Sequence, residues 1–254
     1  MELATEAFIW LGLIAVVAGF VDSLAGGGGL ITIPAMLLFQ VPPINAIATN
    51  KLQGSFGTAT SAITMLARKK VTLGRPWFTF ALAAAGGVAG TWLVQQVSAE
   101  SLELMVPLVL TIIALYFLLS GNRTEQQRVP IIGEGAYQNV VVPSIGAYDG
   151  FFGPGAGSFY AMTGAALQGQ SIVAATANAK LMNFASNIAS LVAFIAGGKV
   201  LWLVGGVMIL GQIIGAYLGS LAVISVGGRL VRPVIVLVCL VMIARYGWQQ
   251  GYFV

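Results

Sequence analysis

The chain has 254 residues, of which 58% are hydrophobic and 8% charged, against roughly 25% charged in soluble folds, and its mean hydropathy is +0.92. That composition excludes a soluble domain, and 12 basic against 8 acidic residues are too few and too scattered for a nucleic-acid surface, so the basic excess belongs to membrane topology. With no histidine and one cysteine, Cys239, neither imidazole chemistry nor an intramolecular disulfide is open to it, and no metal or cofactor is expected.

A bilayer core about 30 Å thick takes about 20 apolar residues per helical crossing. The first twenty residues hold Glu2 and Glu6 but no Lys or Arg. They lack the positive start of a cleaved signal peptide, so this apolar stretch is expected to stay in the mature protein. It runs with interruptions from Ala7 to Ala67, long enough for three crossings if one is short. Four consecutive glycines, Gly26 to Gly29, each cost about 1 kcal/mol relative to Ala inside a helix. The first helix should stop there, and a short one should run from near Leu30 to before Pro42-Pro43. Pro76 to Val97 and Leu104 to Leu119 follow, then the one sizeable polar stretch, with Arg123, Glu125, Arg128 and Glu134.

The region from Tyr137 to Ala196 is a second long interrupted stretch, broken at Gly153-Pro154-Gly155-Ala156-Gly157. Pro154 suits the first turn of a new helix. Val200 to Ile224 and Pro233 to Ala244 complete the candidates. Trp10, Trp77, Trp202 and Trp248 lie near run ends, where indole rings favour the membrane interface. Gly86, Gly90, Gly211, Gly215 and Gly219 are read as points of close helix packing.

The order of motifs repeats. Asp22 returns as Asp149 and Thr49 as Thr176 at one offset, and Lys51 returns as Lys180, Lys70 as Lys199 and Gly86 as Gly215 two residues later, as a duplicated half with a small insertion requires. The halves are expected to span 1–121 and 137–254, joined by a linker at 122–136. Loop charge swaps between them. Arg68-Lys69-Lys70 with Arg75 has only Lys199 as its counterpart, whereas the segment with Glu100 and Glu103 corresponds to one with Arg229 and Arg232. Such a swap predicts inverted halves. The expected fold is therefore an all-α polytopic membrane protein of two inverted repeats, each of about five helical segments, with both termini outside the cytoplasm. The alternative is four plus four in parallel, with the glycine segments as re-entrant loops.

Four charges, Asp22, Lys51, Asp149 and Lys180, lie deep in apolar sequence. At roughly 2.5–3.5 kcal/mol each at a helix centre, they must be paired, hydrated or neutralised. One reading is two Asp–Lys ion pairs that hold the halves together. The other is a site near the pseudo-twofold axis. Helices interrupted at Gly27, Gly28 and Gly29, and at Gly155 and Gly157, would turn free N–H groups and positive dipole ends toward a small anion. Donors cluster downstream at Thr49, Asn50, Lys51 and Gln53, and at Thr176, Asn178, Lys180, Asn183 and Asn187. Two ammonium groups among donors suit an oxyanion. Carboxylates only accept hydrogen bonds, so Asp22 and Asp149 are assigned to coupled protons or to the lysines.

At these residues the chain resembles the sulfite exporter TauE/SafE family of membrane transporters. Ala18-Gly19-Phe20-Val21-Asp22-Ser23 into the glycine run and Pro34, then Ala48-Thr49-Asn50-Lys51-Leu52-Gln53, are similar to the family signature. Tyr148-Asp149-Gly150-Phe151-Phe152-Gly153-Pro154 with Ala175-Thr176-Ala177-Asn178-Ala179-Lys180 resembles its YfcA-like branch. The resemblance implies a bacterial inner-membrane exporter of small sulfur-containing anions such as sulfite or sulfonates. Gly155-Ala156-Gly157-Ser158 departs from the plain glycine run, so the half-sites are not equivalent. Neither glycine run continues into the GK[ST] of an ATP-binding loop, which leaves a secondary transporter as the expected class. A passive anion channel and an intramembrane aspartyl protease built on Asp22 and Asp149 are the alternatives.

Overall fold

The computed structural model describes residues 5–71, 75–102, 105, 108, 109, 112 and 129–226. The expected segment from Pro233 to Ala244, most of that from Leu104 to Leu119, and the residues Glu2, Glu103, Arg123, Glu125, Arg128, Arg229, Arg232, Cys239 and Trp248 lie outside them. Among the described residues there is no strand, and eight helices have ten residues or more. They are α1 (Thr5–Ala25), α2 (Gly28–Leu38), α3 (Pro43–Ala67), α4 (Pro76–Val94), α5 (Val142–Phe151), α6 (Ala156–Leu167), α7 (Ile172–Ala196) and α8 (Trp202–Val226). A turn at Glu134–Ala136 and a π-helical segment at Tyr137–Val141 lead directly into α5.

The glycines stop the helices for backbone reasons. Gly26 takes φ +71, and Gly153 and Gly155 take +100 and +81, values that an L side chain reaches only under strain. The glycine run also opens the next helix, since α2 begins at Gly28, two residues before the expected Leu30. Pro154 does not stand in a first helical turn. It lies in the turn before α6, where its carbonyl accepts the Tyr148 hydroxyl at 2.5 Å. At 11 and 12 residues, α2 and α6 are too short to cross a bilayer.

Four stretches are long and apolar enough to do so: Thr5–Leu24, Pro76–Val94, Ile172–Ala196 and Trp202–Ile224. Their outward faces carry large apolar groups such as Leu13, Val17, Trp92, Leu203, Leu210 and Leu218, which suits lipid and not water. Trp10, Trp77 and Trp202 are exposed near helix ends, as expected of interface anchors.

α3 and α7 pack against each other at the centre. α1 lies along α8, and α5 along α4, so each helix that ends at a glycine break rests on a helix distant in sequence. Both contacts are glycine-lined. A Cβ on Gly86 or Gly90 would collide with the carbonyl oxygen of Pro143 or Ala147, and one on Gly211, Gly215 or Gly219 with that of Gly12, Val16 or Phe20. Without side chains in the way, helix backbones approach closely and gain dispersion energy where lipid supplies no hydrophobic drive.

Candidate functional site

The two helix breaks meet. A Cβ on Gly157 would lie 2.7 Å from the Gly26 Cα, and one on Gly29 would lie 3.3 Å from the Pro154 Cα. α3 and α7 flank this junction and turn their polar residues inward. Asn50, Lys51, Gln53, Thr58, Lys180, Asn183, Ser186 and Asn187 are all buried.

The four deep charges form two pairs, each joining helices far apart in the chain. Lys51 Nζ of α3 donates to Asp149 Oδ1 of α5 at 2.7 Å, and the other carboxylate oxygen accepts from Ser186 Oγ at 2.5 Å. Lys180 Nζ of α7 donates to the Asp22 backbone carbonyl of α1 and to Asp22 Oδ2 at 3.2 Å. Asp22 Oδ1 accepts from the Gly28 N–H at 3.1 Å, so the α2 N-terminus already holds a carboxylate. The pairing explains how four charges survive in apolar surroundings. The pairs differ in access, with side-chain exposures of 0% and 2% for Lys51 and Asp149 against 1% and 12% for Lys180 and Asp22.

Between the pairs lies a small polar cavity. Its walls are Asp22, Gly28, Gly29, Asn50 and Gln53 on one side and Asp149, Gly153, Asn183 and Asn187 on the other, with Gln212 reaching in from α8. About 20 Å³ is open to the centres of water molecules, room for one or two of them. Asn50 Oδ1 accepts from Thr32 Oγ1 and Gln53 Nε2, both at 2.7 Å, and Asn183 Oδ1 accepts from Asn187 Nδ2 at 2.9 Å. These bonds leave the Asn50 and Asn183 Nδ2 groups as donors at the cavity wall. Gln53 Oε1 is buried without a hydrogen-bond partner among the described residues.

Of the expected site residues, Asp22, Gly28, Gly29, Asn50, Asp149 and Asn183 line the cavity. Lys51 and Lys180 stand behind their aspartates. Gly27 is the N-cap of α2 and Gly155 that of α6, while Gly157 is packed on Gly26. Thr49 Oγ1 accepts from the Leu201 N–H at 3.1 Å at the start of α8, Asn178 Nδ2 donates to Gln170 Oε1 at 2.8 Å, and Thr176 is buried off the cavity wall. Gly54, Thr58, Ser186 and Gln212 also belong to the centre. Gly54 and Thr58 stand in the first half where Asn183 and Asn187 stand in the second, and Gln212 is the one carboxamide in an apolar run.

Comparison with known proteins points to one family of membrane transporters. The family model described as Sulfite exporter TauE/SafE matches residues 11–246. A probable membrane transporter protein YfcA of Escherichia coli (strain K12) is 45% identical over 232 residues, covering 91% of this chain and 86% of that one. A probable membrane transporter protein of Haemophilus influenzae is 38% identical over 253 residues, covering 100% and 99%. A third, ORF9 of Sinorhizobium sp, is 39% identical over 244 residues, covering 96% and 94%. No solved structure gives a significant match.

Proposed function

The chain belongs to the sulfite exporter TauE/SafE family, multi-pass membrane transporters and not enzymes, and from that membership we propose that it is a secondary exporter of small sulfur-containing anions such as sulfite or sulfonates, driven by coupled protons. The halves are read as inverted repeats spanning 1–121 and 137–254, with the site where their broken helices meet.

The observation that carries this reading is the polar cavity between two crossed Asp–Lys pairs at the junction of the glycine breaks. A buried anion needs donors and positive charge close by. Asn50 and Asn183 supply amide N–H groups, the start of α2 supplies a dipole end, and Lys51 and Lys180 supply the charge. As each ammonium is neutralised by an aspartate, an anion gains a full counter-charge only when an aspartate is protonated. That requirement couples proton to anion. The same pairing separates Asp22 from Asp149 by giving each a lysine, an arrangement unlike two aspartates sharing a proton.

The test is counterflow of labelled sulfite into proteoliposomes holding the full chain. Saturable exchange that an inward short sulfonate competes for, and that Asn50→Leu and Asn183→Leu abolish while the protein stays folded, is the expected result. Large unitary currents without counterflow would establish a channel instead. Full exchange in both leucine variants would remove the cavity from the pathway.

A further inference from the structure

Resting on the transport reading, we propose that the Asp22 carboxylate is an internal stand-in for the substrate: it occupies the anion position in the empty carrier and yields it to a monovalent anion on taking up one proton, while the Lys51–Asp149 pair stays closed.

The asymmetry of the two pairs carries the assignment. Asp22 Oδ1 sits on the Gly28 N–H, the backbone donor at the start of α2, and Oδ2 sits on the Lys180 ammonium. Those are the donors an incoming oxyanion would use. Lys180 has a second anchor, the Asp22 backbone carbonyl at the end of α1, so it keeps its place when the side chain leaves. Among the described residues Lys51 has no such anchor; its ammonium donates to Asp149 Oδ1, and Asp149 is held a second time by Ser186. Opening that pair would strand a bare ammonium at 0% exposure, a buried charge with neither water nor counter-ion to offset it. Both carboxylates line the cavity, and Asp22 is the more open of the two, with 12% of its side chain exposed against 2% for Asp149.

A second observation points to a ligand or a protonated partner in the same space. Gln53 Oε1, on a residue only 1% exposed that lines the cavity, has no donor among the described residues. A protonated Asp22 carboxyl, or a hydroxyl of the substrate, would be such a donor. The charged groups facing Asp22 are Lys180 from α7 and, across the cavity, Asp149 of α5 and Lys51 of α3; α2, α6 and α8 bring none.

Charge conservation then sets the substrate class. In the empty carrier the four side chains sum to zero. One proton on Asp22 and one monovalent anion on Lys180 and Gly28 leave the sum at zero, whereas a dianion leaves a net negative charge in a low-dielectric centre. The site should therefore take hydrogen sulfite or a sulfonate and reject sulfate.

Equilibrium binding of labelled methanesulfonate, whose charge does not change across the neutral range, is measured on the full chain in proteoliposomes. The parent should lose affinity about tenfold per pH unit on the alkaline side, the slope of one linked proton, and sulfate should compete poorly. Asp22→Asn, which imitates the protonated carboxyl, should bind with no pH slope and should exchange substrate without proton-driven accumulation. A flat parental profile, a parental slope in Asp22→Asn, or sulfate competing as well as the sulfonate overturns the inference while leaving transport intact. The two parental measurements decide the matter even if the variant does not fold. Failure of the parent to bind sulfite, methanesulfonate and sulfate alike overturns the transport reading, and this inference with it.

Discussion

Replacing Lys51 by Met removes the ammonium but keeps most of the side-chain volume, leaving the Asp149 carboxylate at 2% exposure with Ser186 as its remaining donor. Breaking a buried pair from one side costs about 3–5 kcal/mol, because the surviving charge is neither hydrated nor neutralised. At about 2–4 °C per kcal/mol for a chain of this size, the melting temperature in detergent should fall by about 6–20 °C. Removing both charges with Lys51→Met and Asp149→Leu should recover most of that loss, since a well-packed apolar pair is often neutral or better. The double-mutant cycle should return a coupling of at least about 2 kcal/mol. Lys180→Met should cost less than Lys51→Met, because Asp22 keeps the Gly28 N–H and is 12% exposed to the cavity. The measurement is thermal unfolding of the purified variants followed by tryptophan fluorescence, with the cycle completed at the Lys180–Asp22 pair. A Lys51→Met protein as stable as the parent, or a double variant whose losses simply add, would refute the claim that this pair ties α3 to α5.

Gly90→Ala and Gly215→Ala should each destabilise by about 1–3 kcal/mol or more through overpacking, as each new methyl meets a backbone carbonyl of the facing helix. Gly206→Ala, with nothing within 4 Å of the added Cβ, should be neutral or slightly stabilising; equal melting temperatures for all three would contradict the packing. Gly26→Ala combines φ +71 with a collision against Gly157, whereas Gly198→Ala combines φ +65 with open space. The second should therefore cost about 1–2 kcal/mol of backbone strain, and the first distinctly more, together with loss of counterflow. Ser23→Ala removes a hydroxyl that bridges Ser61 of α3 at 2.5 Å and the Ala216 carbonyl of α8 at 2.9 Å, and should lower stability by about 1 kcal/mol with transport retained.

The helix breaks were legible because four glycines in a row are costly inside a helix and because the same interruption recurs in the second half. The four charges stood out for a similar reason, since nothing in their surroundings hydrates them. Their pairing was not legible as to partner. That each lysine meets the aspartate of the other half depends on α1 lying along α8 and α5 along α4, a long-range arrangement with no local signature. Thr49 and Asn178 read as anion donors by residue type, yet each spends its side chain on a neighbouring loop. Residue chemistry names what a group can bond to, and only the fold decides which candidate is within reach. Gln212 shows the converse, a polar residue whose value comes from an α8 that brings it to the cavity.

The packing of α1 on α8 and of α5 on α4 makes each glycine groove depend on a helix distant in sequence. A polypeptide ending after α4 would present the Gly86 and Gly90 groove with no helix of its own to fill it, since α1 fits the equivalent groove of α8. Two copies lending each other their leading helix would satisfy both grooves at once, the self-complementary geometry of a twofold dimer. In this chain the two junctions are not identical, since a serine holds one aspartate where a backbone amide holds the other.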